Sequence, residues 1–318
     1  MPESLAYENQ PTRLSPHRTP SGQDLVSIII PCYRQEAYLG EAVRSALDQT
    51  YPHLEIIVVD DGSPGDVAGV VAPFPGVKLI RLFNSGAAVA RNRGMAEAAG
   101  SYLLFLDADD RLLPDAVARQ LAVLRSRPEL AFVSGQVQVI DGAGRLIEIP
   151  PFQEVQADHF RVLLGSNYIW TPGVVLYRRS VFENGQAFDT SAGGSADYEL
   201  NIRLARQHPV AAINEVVLEY RVHEENMSAN AALMLRSGIK VRRALYPFVR
   251  HDPALRKAWK QGIKAVQHDK GEALLKELAQ NLRTGKARPT LGRDAWYLMK
   301  YYPLGLPRKL IRWLLGRN

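Results

Sequence analysis

Cysteine is all but missing from this chain of 318 residues: Cys32 is its only one. A single thiol rules out an internal disulfide framework and a cysteine-built zinc site, and it suits a reducing, cytoplasmic compartment. Long apolar runs are missing too, and nothing approaches the roughly 18 consecutive apolar residues that span a bilayer. No internal repeat is present. Residues 1–24 are polar and proline-rich with no apolar signal core, so a disordered leader is expected there. Net positive charge is missing from most of the chain despite an overall +6. Residues 231–318 hold 20 of the 39 Lys+Arg and 5 of the 33 Asp+Glu, a net of +15, which leaves the remainder at −9.

What is present is a repeating pattern. Leu25–Ile30, Leu54–Val59 and Tyr102–Leu106 are uninterrupted apolar runs, as strands buried on both faces require. Between them lie helical patterns over Glu36–Gln49, with Leu39, Ala42, Val43, Ala46 and Leu47 apolar, and over Ala87–Ala99. Strand and helix alternating at this spacing predict a doubly wound α/β domain with a mostly parallel sheet. In such sheets ligands bind outside the carboxyl ends of the strands.

Those ends carry the polar chemistry. The third run leads straight into Asp107-Ala108-Asp109-Asp110. Like charges so close repel, and a cation among them relieves the repulsion. Alternation puts Asp107 and Asp109 on one side of an extended chain, where both could reach one hard divalent ion. The plainer alternative is a solvated acidic turn ahead of the helix at Pro114. The second run ends in Asp60-Asp61-Gly62-Ser63, and the first in Pro31-Cys32-Tyr33-Arg34. Cys32, at a strand end, reads as a packing residue.

Four blocks in this order resemble the nucleotide-sugar half of the family 2 glycosyltransferases, inverting enzymes of the GT-A fold. They are Ser27–Tyr33, Val58–Ser63, Ala90-Arg91-Asn92-Arg93-Gly94 and Phe105–Asp110. The resemblance covers roughly residues 25–228 and is strongest up to 114. It implies that Pro31 and Tyr33 line the base pocket and that Asp61 accepts a hydrogen bond from the base. A carboxylate only accepts, which suits the imide N–H of uracil or the donors of guanine. The alternative for Asp61 is a helix N-cap with Ser63. By the same likeness Arg91 lies near the ribose or phosphates, where a guanidinium forms bidentate contacts; otherwise it is a surface arginine. Asn92 and Gly94 read as structural. Asp109 would bind Mg²⁺ or Mn²⁺ directly, with Asp107 near the ribose or the metal's water shell.

Inverting transfer also needs a base for the acceptor hydroxyl. The family usually places Glu-Asp at the opening of a helix; here Ala196 replaces the Glu and Asp197 remains. Asp197 is the candidate base, a helix cap its plainer role, and Glu199 the alternative base. Tyr220-Arg221-Val222-His223 matches a motif that closes the domain in related enzymes, which makes His223 a candidate at the metal or diphosphate or else a structural histidine. Trp170, in a loop before the strand Val174–Tyr177, could stack on a sugar or fill the core.

The resemblance therefore implies a metal-dependent glycosyltransferase, with a UDP-sugar foremost as donor. The acceptor is a saccharide or lipid-linked hydroxyl in cell-surface polysaccharide or glycolipid synthesis. A leader (1–24), a GT-A catalytic domain (25–230) and a basic helical region (231–318) are expected. In the last, helices over Ala231–Arg250, Pro253–Gln267, Gly271–Arg283, Asp294–Tyr301 and Pro307–Leu315 interleave cations with aromatics and leucines. Such a composition suits an anionic membrane surface at the inner face, or else docking on the protein. Nucleic acid is disfavoured, since no recognisable module accompanies the basic charge. A non-catalytic nucleotide-sugar binder on the same scaffold is the alternative that Ala196 motivates. A nucleotidylyltransferase is disfavoured because Pro31–Arg34 lacks a glycine-rich phosphate loop.

Overall fold

The computed structural model describes residues 24–183, 185–284 and 290–302. The expected leader up to residue 23 and the expected helix Pro307–Leu315 lie outside the described residues. Along the chain run β1 (Val26–Cys32), α1 (Glu36–Leu47), β2 (Leu54–Asp60), α2 (Val67–Val71), β3 (Lys78–Arg81), α3 (Ala87–Glu97), β4 (Tyr102–Phe105), β5 (Arg111–Leu112), α4 (Ala116–Ser126) and β6 (Phe132–Ile140). They continue with β7 (Leu146–Glu148), α5 (His159–Gly165), β8 (Val175–Arg178), α6 (Ala196–Gln207), β9 (Ala211–Arg221), α7 (Ala231–Ala244), α8 (Tyr246–Val249), α9 (Pro253–Thr284) and α10 (Leu291–Tyr301).

The sheet order is β3-β2-β1-β4-β8-β6-β9-β5, with β7 paired to β6. β3, β2, β1 and β4 pair in parallel, and β8 adds to β4 antiparallel. The GT-A-type α/β fold is thus present, with the parallel half formed by the apolar runs. Val26, Ile28, Ile29 and Ile30 of β1 are fully buried, as a central strand covered on both faces demands. Gly94 of α3 sits against it: an added Cβ would lie 2.3 Å from Ile29 Cγ2 and 3.1 Å from Val59 Cγ2. Only a glycine lets the helix approach the sheet this closely.

The chain forms two compact units. The first comprises residues up to 137 with 171–188 and 213–220 and holds the parallel strands; the second comprises 138–170, 189–212 and 221 onwards. In the second unit α7, α9 and α10 share a core of Leu235, Ile239, Leu274, Leu275 and Leu278 that takes in Leu298.

The helical region differs from the sequence expectation at two places. The helix expected over Ala231–Arg250 stops at Ala244, and α8 restarts with Pro247 in its first turn. Proline lacks an N–H and its ring clashes with the carbonyl four residues back, so it is tolerated only at a helix start. The two helices expected either side of His268–Lys270 are one, α9, of 32 residues. Gly271 does not break it, because the Tyr302 ring packs where a side chain would stand, 2.6 Å from an ideal Cβ. That contact explains the glycine and offsets its helix cost of about 1 kcal/mol.

Candidate functional site

In the first unit the ends of β1, β2 and β4 converge. β1 ends in Pro31 and Cys32, and the following turn places Arg34 in the left-handed region (φ 58°). Its amide donates to Ser63 Oγ at 3.2 Å, which ties the β1 and β2 tips together. The half-buried Tyr33 ring has the Arg34 guanidinium 5.3 Å from its centroid. Burial pushes the Cys32 thiol up to about 11, so it is a neutral packing group.

Asp61 is 2% exposed, and both its oxygens are engaged: Oδ1 accepts from Ser85 N at 2.8 Å and Oδ2 from Gly86 N at 2.7 Å. The carboxylate thus anchors the loop that opens α3. It is not an N-cap with Ser63: Ser63 N donates to Asp60 Oδ1, and the cap of α2 is Asp66. Each carboxylate oxygen has a second lone pair and could accept a further hydrogen bond.

Arg91 is no surface residue. It is 9% exposed, stacks 5.5 Å from the Phe188 centroid, and its Nη2 lies 2.5 Å from Asp107 Oδ1. Asn92 clasps the Phe188 backbone in both directions, donating to its carbonyl and accepting from its amide at 2.9 Å each. Asn92 and Gly94 are structural, as their residue types suggested. Asp107 Oδ2 takes the Thr171 hydroxyl at 3.2 Å, and the same hydroxyl lies 3.4 Å from Asp110 Oδ2. Asp110 is 1% exposed and its amide closes a turn onto Asp107 O. Asp109, half-buried, accepts from Gln35 Nε2 at 3.5 Å.

Thr171, Gln35 and Arg34 were not singled out from sequence. Thr171 is far from the tip along the chain, and only its place in a loop ahead of β8 pointed to it.

Four further candidates belong to the second unit. Asp197 is the second residue of α6, half-buried; the N-cap is Ser195, so Asp197 is not the cap. Glu199, the alternative base, is held by Arg203 one turn on, at 2.8 and 2.9 Å. Trp170 is 48% exposed and does not fill the core. His223 heads a turn in which its amide donates to Asn226 Oδ1 at 2.6 Å.

Among the described residues no three His, Cys, Asp or Glu side chains form a metal-holding group. The β4 tip offers two carboxylates, one of them paired with Arg91. That set suits Mg²⁺ or Mn²⁺, which keep waters and complete their oxygen shell from substrate phosphates.

In this α/β sheet the acidic and aromatic residues stand at the carboxyl ends of parallel strands, where such folds bind their ligands. The family model "Glycosyl transferase family 2" matches residues 27–185, and the chain belongs to that family. Chondroitin synthase from Escherichia coli is 31% identical over 218 residues, 64% of this chain and 30% of that protein. The Bacillus subtilis glycosyltransferase EpsJ is 30% identical over 224 residues, 64% of this chain and 63% of that one. The chain therefore spans under two thirds of these two relatives. The putative teichuronic acid biosynthesis glycosyltransferase TuaG of B. subtilis is 39% identical over 108 residues, 32% of this chain and 43% of that one. Among solved structures, S. aureus TarS with UDP-GlcNAc matches 87% of this chain and 89% of its own at TM-score 0.55 and 16% identity. The Pyrobaculum calidifontis mannosyltransferase PcManGT, in complex with GDP-Man and Mn²⁺, matches 95% and 92% at TM-score 0.55 and 18% identity. At these identities the likeness is one of fold.

Proposed function

We propose that the chain transfers a sugar, with inversion, from a nucleotide-diphosphate sugar to an acceptor hydroxyl in cell-surface polysaccharide or glycolipid synthesis. The observation that carries this reading is the single rim of the first unit, where Tyr33, Asp61, Asp107 and Asp109 stand at adjoining strand ends and Arg91 reaches Asp107 from α3. Asp61, an acceptor, matches the imide N–H of uracil or the donors of guanine, and a UDP-sugar, such as the one TarS holds, is the donor we favour. Pro31 and Tyr33 would flank the base, and Arg91 would orient phosphate oxygens from its anchored position against Phe188.

Asp109, with Asp107 beside it, would hold Mg²⁺ or Mn²⁺. That ion, when bound, supplies Lewis-acid stabilisation of the departing diphosphate. In the displacement the acceptor oxygen bonds to the anomeric carbon, the bond from that carbon to the diphosphate oxygen breaks, and the acceptor proton passes to Asp197. Glu199 is committed to Arg203, which favours Asp197 for this task. Trp170, exposed, would offer a stacking face to a saccharide acceptor, and His223 would serve the diphosphate.

For the basic C-terminal region we favour contact with the anionic inner face of a membrane, which suits a lipid-linked acceptor. In α10 Leu298 is buried in the helical core, but Trp296 and Met299 are 47% and 59% exposed, with Lys300 4.3 Å from the Trp296 centroid. An exposed aromatic, an aliphatic and a cation together suit the lipid headgroup region. The function is tested by incubating the chain with a panel of nucleotide sugars and measuring release of nucleoside diphosphate. Release from none of them would overturn the assignment.

A further inference from the structure

The residues either side of Asp197 are anchored to α7, in the basic C-terminal region. Ser195, the N-cap of α6, makes no capping bond with its side chain. Its hydroxyl lies 2.9 Å from Ser237 Oγ of α7. Ser237 Oγ donates to Leu233 O at 2.8 Å. A hydroxyl has one proton, so Ser195 is the donor and Ser237 the acceptor between them. The loop ahead of α6 also lies close on α7: a Cβ on Gly194 would stand 2.9 Å from Met234 Sδ, and Lys240 Nζ donates to Ser191 O at 2.6 Å.

On the other side of Asp197, Tyr198 is 3% exposed and its hydroxyl donates to Leu163 O of α5 at 2.8 Å. Burial pushes this phenol up to about 12. Over its ring, 4.5 Å from the centroid, lies the Arg242 guanidinium of α7. Arg242 is 4% exposed; its Nη1 donates to Gly238 O at 3.4 Å, and among the described residues its Nε has no hydrogen-bond partner. A buried cation so poorly satisfied is costly and calls for a reason. The packing beside Nε is close: a Cβ on Gly262 of α9 would stand 2.8 Å from Arg242 Nε and 1.9 Å from Leu164 O. Trp259 Nε1 holds the Arg242 backbone at 2.5 Å. Besides the Gly238 carbonyl, the group facing the guanidinium is the Tyr198 ring, and cation–π attraction is strongest in such a dry setting.

We propose that Ser237 and Arg242 are positioning residues for Asp197, fixing the first turn of α6 at Ser195 and Tyr198 so that the carboxylate between them is held for proton transfer. The inference rests on Asp197 being the base. It makes α7 a working part of the acceptor-side machinery and not an accessory to a membrane tail.

The experiment compares full-length wild type with Ser237→Ala, Arg242→Met, Arg242→Lys and Asp197→Asn, each also combined with Asp197→Asn where applicable. Thermal unfolding and nucleoside-diphosphate affinity serve as controls for folding. The expected result is a fall in kcat of about five- to tenfold for Ser237→Ala and Arg242→Met, as loss of about 1 kcal/mol of positioning implies. Donor affinity should stay at the wild-type value, and Arg242→Lys should recover part of kcat because it keeps the cation over the ring. On the Asp197→Asn background neither variant should lower activity further, since residues acting through one group are not additive. Unchanged kcat in the folded variants, or equal losses with and without Asp197, would overturn the positioning role while leaving Asp197 as base. Should Ser237→Ala and Arg242→Met both fail to fold, equal fractional losses for Arg242→Lys with and without Asp197→Asn would count against it. Full activity in Asp197→Asn would instead remove the base assignment and the inference with it.

Discussion

Arg91 Nη2 meets Asp107 Oδ1 at 2.5 Å, so the first carboxylate of the β4 tip is neutralised by an arginine that reaches it from α3. Side-chain exposure is 10% for the arginine and 29% for the aspartate. Truncating the arginine therefore leaves a largely desolvated carboxylate unpaired, and replacing it also removes the proposed phosphate ligand. Arg91→Met should lower kcat/KM for the donor by about a hundredfold, the equivalent of 2–3 kcal/mol for a charged hydrogen-bonded pair. Steady-state kinetics with the preferred nucleotide sugar decide it. A loss under threefold would mean the pair is structural.

Asp61 accepts two backbone amides with its two oxygens. An asparagine supplies one acceptor oxygen, and its amide nitrogen would face an N–H donor. Asp61→Asn should destabilise the fold by about 1–3 kcal/mol in urea unfolding. Nucleoside diphosphate affinity should fall as well, because the loop opening α3 loses its anchor. Stability equal to wild type would show that the two amides find other partners.

Cys32 predicts an alkaline sensitivity with a definite sign. Its thiol is raised from 9.0 to about 11 by burial, so between those values the unfolded chain has lost its proton and the native chain keeps it. The unfolded state then binds fewer protons, and stability falls as pH rises through this window. The contribution approaches about 3 kcal/mol over two pKa units. Urea unfolding at pH 8 and pH 10.5 should show a larger loss in wild type than in Cys32→Ala. Parallel losses in the two proteins would contradict it.

The exposed Trp296 and Met299 on α10 give the membrane proposal a direct assay. Wild type should sediment with vesicles containing anionic lipid at low salt and far less with neutral ones. The double variant Trp296→Ser, Met299→Ser should lose about tenfold in partitioning, given roughly 1 kcal/mol or more for the apolar area withdrawn. Equal sedimentation of both proteins would remove α10 from the interaction.

How much of this was legible in the sequence depends on the range of the interaction. β1, β2 and β4 were visible because strands buried on both faces must be continuous apolar runs, and the polar residues just beyond them follow from where such strands end. The α1 and α3 patterns were visible for the same local reason. The Arg91–Asp107 pair and the Thr171 hydroxyl between Asp107 and Asp110 were not, since each is a tertiary meeting with no periodic signature. Asp61 read as a base ligand or a helix N-cap with Ser63, and its two amide partners lie on a separate loop. The helices expected over Pro253–Gln267 and Gly271–Arg283 are one, and only the packing of Tyr302 reveals why a glycine stands inside α9. Ser195, which occupies the N-cap position of α6, turns its hydroxyl to Ser237, far along the chain.

The central claim is that Asp109 at the β4 tip supports turnover of a nucleotide-sugar donor. The most direct test is release of nucleoside diphosphate from UDP-sugars by wild type and by Asp109→Ala, each with Mg²⁺, with Mn²⁺ and with chelator. The account predicts metal-dependent release by wild type, a loss of at least about a thousandfold in Asp109→Ala, and an unchanged unfolding midpoint. Equal turnover by the two proteins, or wild-type turnover indifferent to chelator, would contradict it.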